Sequence, residues 1–195
     1  PSKDKSIDAI ASRENKTSKE LAYDILLENQ GKNFIYAPLV NYSNNTFDVC
    51  HEMLKDKNTI MGLGDGGAHV GFILDAGYPT WLLSYWTNEK KLFSVEESIR
   101  RLTSDTAHAV GLDDRGLIKE GLKADINIID LNKLSSSDPF MVKDLPANGK
   151  RLMQKTRGYV ATIVSGKVTY DNGSFTSKTP EKLIKLIEVN KSNTE

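Results

Sequence analysis

Thr59-Ile60-Met61-Gly62-Leu63-Gly64-Asp65-Gly66-Gly67-Ala68-His69-Val70-Gly71 runs a short apolar segment straight into a loop carrying five glycines in ten residues, 62 to 71. The apolar half, Thr59 to Gly64, reads as a strand buried on both faces. A second such run, Phe34-Ile35-Tyr36-Ala37-Pro38-Leu39-Val40, lies upstream, with Pro38 close to its end. Between the two, Phe47, Cys50, His51 and Leu54 fall at i, i+3, i+4 and i+7. That spacing predicts a short helix that buries Cys50 and turns Asp48, Glu52 and Lys55 outward. Strand, helix, strand with apolar strands is the rhythm of a parallel sheet. Upstream, Thr17-Ser18-Lys19-Glu20 has the form of a capping box. Leu21, Ala22, Ile25 and Leu26 continue it at helical spacing to a stop at Gly31.

Downstream of the glycine loop, Ser94-Val95-Glu96-Glu97 opens another helix, expected to face a core with Val95, Ile99, Leu102 and Ala109 and to end near Gly111. Past Gly111 the pattern becomes short strands and turns. Gly116 to Ile118, Ala124 to Ile129, Val160 to Val164 and Lys167 to Tyr170 are strand-like, and Ser165-Gly166 and Asn172-Gly173 are hairpin turns. Leu131 to Arg157 reads as a long connection, and Glu181 to Glu188 as a polar C-terminal helix. The expected organisation is residues 1–111 built on a parallel sheet, which the family resemblance given below makes a partial (β/α) barrel, and 112–195 as an antiparallel segment.

Composition narrows the function. The 195 residues carry 26 basic and 26 acidic side chains, for a formal net charge of zero and a pI near 7.3, so no basic surface points to nucleic acid. No apolar run approaches the roughly 20 residues that span a bilayer. The single Cys50 excludes a disulfide scaffold and any Cys-x-x-Cys chemistry. The opening Pro1-Ser2-Lys3-Asp4-Lys5-Ser6 has neither an initiator Met nor the apolar core of a signal peptide. A portion of a longer, cytoplasmic protein is therefore expected.

In α/β folds ligands sit beyond the carboxyl ends of the strands, so Asp65 stands where a catalytic carboxylate is placed. An Asp there can ligate a metal and accept a proton from bound water, and His69 can bind an anionic group or ligate. The glycines match neither a P-loop, which needs Gly-Lys-Ser/Thr, nor a clean Gly-x-Gly-x-x-Gly. Asp65 also suits a plain turn, since Asp-Gly is a common turn dipeptide. His51 sits at a core-edge helical position and reads as structural; His108 complements a helix dipole. Trp81, Trp86, Tyr78 and Tyr85 read equally as pocket lining and as packing.

The stretch from Gly62 to Trp86 is followed by Arg100-Arg101-Leu102-Thr103-Ser104-Asp105. Two further motifs are Arg115-Gly116-x-Ile118-x-x-Gly121-x-x-Ala124-Asp125 and Ile163-Val164-x-Gly166-x-Val168. Together they resemble the C-terminal part of the amidohydrolase superfamily. Gly64-Asp65-Gly66-Gly67-Ala68-His69-Val70 and Gly158-Tyr159-Val160-Ala161-Thr162-Ile163-Val164 narrow the resemblance to the N-acyl-D-amino-acid deacylase (D-aminoacylase) branch. The resemblance implies an α/β plus β fold: the C-terminal part of a metal-dependent hydrolase (β/α)8 TIM barrel followed by a small antiparallel β-sandwich. Phe34 to Val40 and Thr59 to Gly64 would be its last two barrel strands. Asp65 would contact the metal and shuttle the proton from water to the leaving nitrogen. His69, with Gly66 and Gly67, would contact an N-acyl amino acid substrate.

The family's His-x-His pair, bridging ligand and later histidines have no counterpart here. The resemblance thus implies zinc in the full-length enzyme, none or weak binding by this chain, and inactivity of the chain alone. Partners expected are the small-molecule substrate, no nucleic acid, no membrane, and either a homo-oligomer or a missing N-terminal portion that pairs with exposed strands. Two alternatives are a cyclic-amide hydrolase of dihydroorotase or hydantoinase type and a non-catalytic assembly module.

Overall fold

The computed structural model describes residues 2–38, 40–42, 44–62, 64 and 69–180. The chain divides into two compact units between Thr59 and Ile60.

The first unit is helical. Helix α1 (Ile7–Arg13) begins where the Ser6 side chain accepts the Ala9 N–H, a cap the spacing of apolar residues did not announce. Helix α2 (Ser18–Gly31) begins on the expected reciprocal cap: Thr17 Oγ1 accepts the Glu20 N–H and the Glu20 carboxylate accepts the Thr17 N–H. Ala11 of α1 and Leu21 of α2 are its buried apolar residues. The helix kinks at Glu28, Asn29 and Gln30 before Gly31 closes it at φ +71°. Helix α3 (Asp48–Lys55) has the expected face: Phe47, Cys50, His51 and Leu54 are half-buried while Asp48, Glu52 and Lys55 are exposed. Cys50 is thus partly rather than fully covered. Its thiol donates to the Asn41 carbonyl at 2.9 Å, and burial pushes its pKa up.

Neither expected parallel strand forms among the described residues. Residues 34–38 lie in no described ladder, with Phe34 41% and Tyr36 67% exposed; residues 59–62 and 64 are likewise outside any described sheet. Apolar continuity marks a segment able to be buried. It becomes a strand only where neighbouring backbone completes its hydrogen bonds. The strand ladders among the described residues are all antiparallel.

In the second unit, helix α4 (Tyr78–Trp81) runs directly into a π-helix, Leu82–Glu89. The Thr87 hydroxyl donates to the Leu82 carbonyl at 3.0 Å and shares a 2.6 Å hydrogen bond with Ser98 of helix α5 (Val95–Leu102). Leu82, Leu83, Trp86, Phe93, Ala107 and Leu134 form the apolar core here. Helix α5 presents a different face from the one expected. Ser98 and Arg101 are buried, whereas Val95 and Ile99 are 39% and 37% exposed. Arg101 can face inward because Glu97 accepts from both its Nε (3.2 Å) and Nη2 (2.8 Å), and its guanidinium lies 5.2 Å from the Phe93 ring centre. Paired, stacked arginine satisfies a buried site that periodicity alone assigns to aliphatic residues. Ser94 caps α5 as expected, accepting the Glu97 N–H. The helix breaks at Thr103 (φ −126°, ψ −85°), and α6 (Ser104–Ala109) follows with Ala107, not Ala109, buried.

Residues 111 and 112, the expected boundary, both fall within the second unit. Helix α6 is the last described helix before eight short strands and a 3-10 turn. Strands β1 (Ile126–Ile129), β6 (Tyr159–Val164), β7 (Lys167–Asp171) and β8 (Ser174–Phe175) form one sheet in the order β1-β6-β7-β8. Both expected hairpin turns are present. Ser165 and Gly166 (φ +48°, +76°) join β6 to β7, and Asn172 and Gly173 (φ +45°, +79°) join β7 to β8, the double positive φ of type I′ turns.

Leu131 to Arg157 is no loop. It contains β2 (Ser135–Ser136) paired with β5 (Thr156–Arg157), and β3 (Phe140–Leu145) paired with β4 (Gly149–Met153). Its turn, Pro146-Ala147-Asn148, holds Ala147 and Asn148 at positive φ, a geometry Asn-Gly favours. Gly116 to Ile118 is no strand. Ile118 is 90% exposed, and the segment is tied as a loop. Arg115 pairs with Asp114 (2.8 Å) and Asp125 (3.3 Å), the Asp125 carboxylate accepts the Ser165 N–H (2.8 Å), and Gly166 N–H donates to Ala124 C=O (3.0 Å). Gly116 lies so close to α6 that a Cβ on it would meet the Ser104 Cα at 2.9 Å. The Arg-Gly and Ala-Asp residues of that motif therefore serve architecture. The expected helix at 181–188 lies outside the described residues.

Candidate functional site

A tight turn follows Gly64, at residues 69–73. The His69 carbonyl accepts the N–H of Phe72 (2.9 Å) and of Ile73 (3.2 Å), with His69 itself at φ +47°. This reverses the chain, so Asp75 comes back against Gly64: a Cβ on Gly64 would lie 2.8 Å from the Asp75 carboxyl carbon and Oδ2. A side chain at position 64 would require the Asp75 carboxylate to move. Asp75 C=O then accepts the Tyr78 N–H (3.1 Å), which begins α4.

Three contacts dock the returning arm on the strands. Leu152 N–H of β4 donates to Val70 C=O at 2.7 Å. Gly77 packs so closely on Gln154 that a Cβ would meet its Oε1 at 3.0 Å. Thr80, buried, shares a 2.9 Å hydrogen bond with the Tyr159 hydroxyl of β6. Between the arm and the strands is an open cleft of about 880 Å3, with Ile73, Leu74 and Thr80 on one side and Arg151, Lys155 and Tyr159 on the other. Arg151 is already engaged by Asp144 through two hydrogen bonds, at 2.7 and 2.6 Å, which hold the Asp144 carboxyl below its ordinary pKa.

Of the residues singled out from sequence, Asp65, Gly66 and Gly67 lie outside the described residues. His69 is exposed, its ring 5.1 Å from that of Phe72, and it is not among the residues lining the cleft. His108 is exposed at the end of α6, 3.8 Å from Asp113. Trp86 is buried with Tyr85 and Trp81 edge-on to it (5.0 and 5.4 Å), and Trp81 stacks on Tyr85 at 4.7 Å, so this aromatic group is packing rather than pocket lining. Asp75 is the residue that sequence reasoning missed. The signal was there: it is the one charge in Phe72-Ile73-Leu74-Asp75-Ala76-Gly77.

Among the described residues, no three His, Cys, Asp or Glu side chains are close enough to share a metal ion. Zinc asks for three or four such ligands. The described residues do not fit a metal centre of their own.

Residues 24–170, three quarters of the chain, match the amidohydrolase family model. The chain belongs to the amidohydrolase family. This amidohydrolase chain is similar to dihydroorotase of Lactobacillus acidophilus, 32% identical over 48% of the chain and 22% of that enzyme. It is similar also to dihydroorotase of Bacillus thuringiensis, 35% identical over 50% and 23%. It spans under a quarter of the length of these curated relatives. Among solved structures it is similar to a D-aminoacylase described as defining a novel subset of amidohydrolases (20% identity, 88% of this chain, 32% of that one, TM-score 0.47). A second is a D-aminoacylase with a binuclear metal centre (23%, 51%, 19%, TM-score 0.40). Among the described residues of the amidohydrolase chain, no helix is long and apolar enough to cross a membrane.

Proposed function

We propose that this chain is the C-terminal portion of a metal-dependent amidohydrolase that cleaves a non-peptide C–N amide bond, with an N-acyl-D-amino acid as substrate. The observation that carries the reading is the family match over residues 24–170, a span that includes positions 64 to 71. Asp65 acts first as general base. It takes a proton from the attacking water as oxygen bonds to the acyl carbon, then returns that proton to the nitrogen as the C–N bond breaks, so a carboxylate and a free amine leave. His69, Gly66 and Gly67 contact the substrate. Zinc is the metal of the full-length enzyme in this reading, with ligands other than Asp65 coming from residues outside these 195; the chain alone holds it weakly or not at all.

Exposed apolar side chains such as Leu117, Ile118 and Val110 support pairing of the chain with the rest of its enzyme or with a second copy. A second reading, ring opening of a cyclic amide, is favoured by the dihydroorotase relatives. Turnover of a panel of N-acetyl-D- and N-acetyl-L-amino acids, dihydroorotate and hydantoin by the full-length protein separates the readings. Preference for the D-acyl substrates is expected. Preference for the cyclic amides selects the second reading, and no turnover of any of them leaves an assembly module.

A further inference from the structure

We propose that the cleft between residues 70–80 and the strands binds an aliphatic monocarboxylate, with the carboxylate at Lys155 and the chain along Ile73, Leu74 and Pro79. The proposal stands on the cleft alone and does not need the reaction given above. At about 880 Å3 the cleft is in the size range of small-molecule sites, which combine apolar walls with a few polar groups. Ile73, Leu74, Pro79 and Met153 line it and are half-buried, a wall suited to a hydrocarbon chain. No Asp or Glu is among the described residues that line it, whereas Arg151 and Lys155 both do.

The two cations are not equivalent. Arg151 has its charge matched by Asp144 through hydrogen bonds of 2.7 and 2.6 Å. Lys155 makes no ion pair among the described residues, and its Nζ lies 5.8 Å from the Phe140 ring centre. One uncompensated positive charge complements a monoanion, whereas a phosphate dianion would keep one charge unmatched. The chain beneath Lys155 is fixed on Ser137. Lys155 N–H donates to Ser137 Oγ (3.0 Å), Lys155 C=O accepts the Ser137 N–H (2.8 Å), and Gln154 Nε2 donates to the Ser137 carbonyl (2.8 Å). The hydrogen bond between Thr80 and Tyr159 (2.9 Å) ties the arm to the sheet. Both walls are therefore in place before a ligand arrives, which lowers the ordering cost of binding.

The test titrates the full-length protein with butanoate, hexanoate, octanoate, octanol, octylamine and hexyl phosphate by calorimetry, and follows acetylation of individual lysines by mass spectrometry. Affinity should rise by up to about four-fold per methylene along the carboxylates. Octanoate should bind more tightly than octanol or octylamine, and hexanoate more tightly than hexyl phosphate. Lys155 is exposed, so Lys155→Gln should fold; it should weaken octanoate by about 5- to 50-fold. Lys119→Gln, an exposed site outside the cleft, should leave octanoate binding unchanged. Octanoate should slow acetylation of Lys155 and not of Lys119.

No octanoate binding at millimolar concentration, octanol or octylamine binding as tightly as octanoate, hexyl phosphate binding more tightly than hexanoate, or undiminished binding by Lys155→Gln would overturn the proposal. So would a Lys155 acetylated equally fast with and without octanoate. A Lys155 that the reagent does not reach even without octanoate would overturn it too, since the cleft is then already filled. A protein that turns over no amide but binds octanoate at Lys155 refutes the reaction and upholds this site.

Discussion

Replacing Gly158 with alanine tests the architecture at its tightest point. Gly158 sits at φ +92°, and a Cβ there would meet Leu134 Cα at 2.7 Å, Leu134 N at 2.8 Å and Asp130 O at 2.9 Å. All three are backbone atoms, so no flexible side-chain end can swing away. The left-handed backbone costs an alanine about 1–2 kcal/mol. Forcing a methyl into filled space adds about 1–3 kcal/mol. The 2.7 Å hydrogen bond from Asp130 N–H to Gly158 C=O, worth about 1 kcal/mol, is also exposed to the displacement. The total is about 2–6 kcal/mol. Gly173→Ala is the internal control: Gly173 has φ +79° but nothing within 4 Å of the added Cβ, so only the backbone cost of about 1–2 kcal/mol applies. At about 2–4 °C per kcal/mol for a chain of this size, Gly158→Ala should lower Tm by about 4–24 °C and Gly173→Ala by about 2–8 °C. Thermal melts followed by circular dichroism measure both. A Gly158→Ala melt no lower than that of Gly173→Ala refutes the close approach of Gly158 to Leu134.

Tyr159→Phe removes the hydroxyl that pairs with buried Thr80 and should cost about 1–3 kcal/mol in urea unfolding, because Thr80 keeps its place without its partner. The Asp144 carboxyl should titrate below the ordinary carboxylate value in NMR. The folded pKa is depressed by Arg151, so the hairpin's stabilisation is full above the unfolded pKa and is lost as pH falls through the folded one; Arg151→Gln should return the midpoint to the ordinary range. Cys50, its thiol pKa raised by burial, should alkylate with iodoacetamide at pH 8 more slowly than an unfolded control.

What the sequence made legible was local. Thr17 with Glu20, Ser94 with Glu97, and the Ser165-Gly166 and Asn172-Gly173 turns appear where their residue types require them, since each is decided within four residues. The half-buried face of α3 follows from spacing in the same way. The errors lie in pairings that spacing does not encode. Residues 34–38 and 59–62 have the apolar content of strands, but a ladder is a property of two segments, and no partner pairs with them among the described residues. Arg101 displaced the aliphatic side chains from the α5 core because Glu97 and Phe93 complete it, a three-body arrangement that periodicity ignores. The β3–β4 hairpin hid behind Pro146 and a run of polar residues. At the site, the glycines and Asp65 announced themselves through composition, whereas the seat of Asp75 on Gly64 depends on a chain reversal at His69 that no spacing rule encodes.

The central claim, amide hydrolysis through Asp65, is tested most directly by steady-state turnover of N-acetyl-D-amino acids by the full-length enzyme, wild type against Asp65→Asn, with circular dichroism as the folding control. An asparagine amide can neither take the water proton nor deliver it to nitrogen near neutral pH. The account predicts a folded variant whose kcat falls by about 10² to 10⁴-fold. A folded Asp65→Asn enzyme that keeps more than about a tenth of wild-type kcat would contradict it.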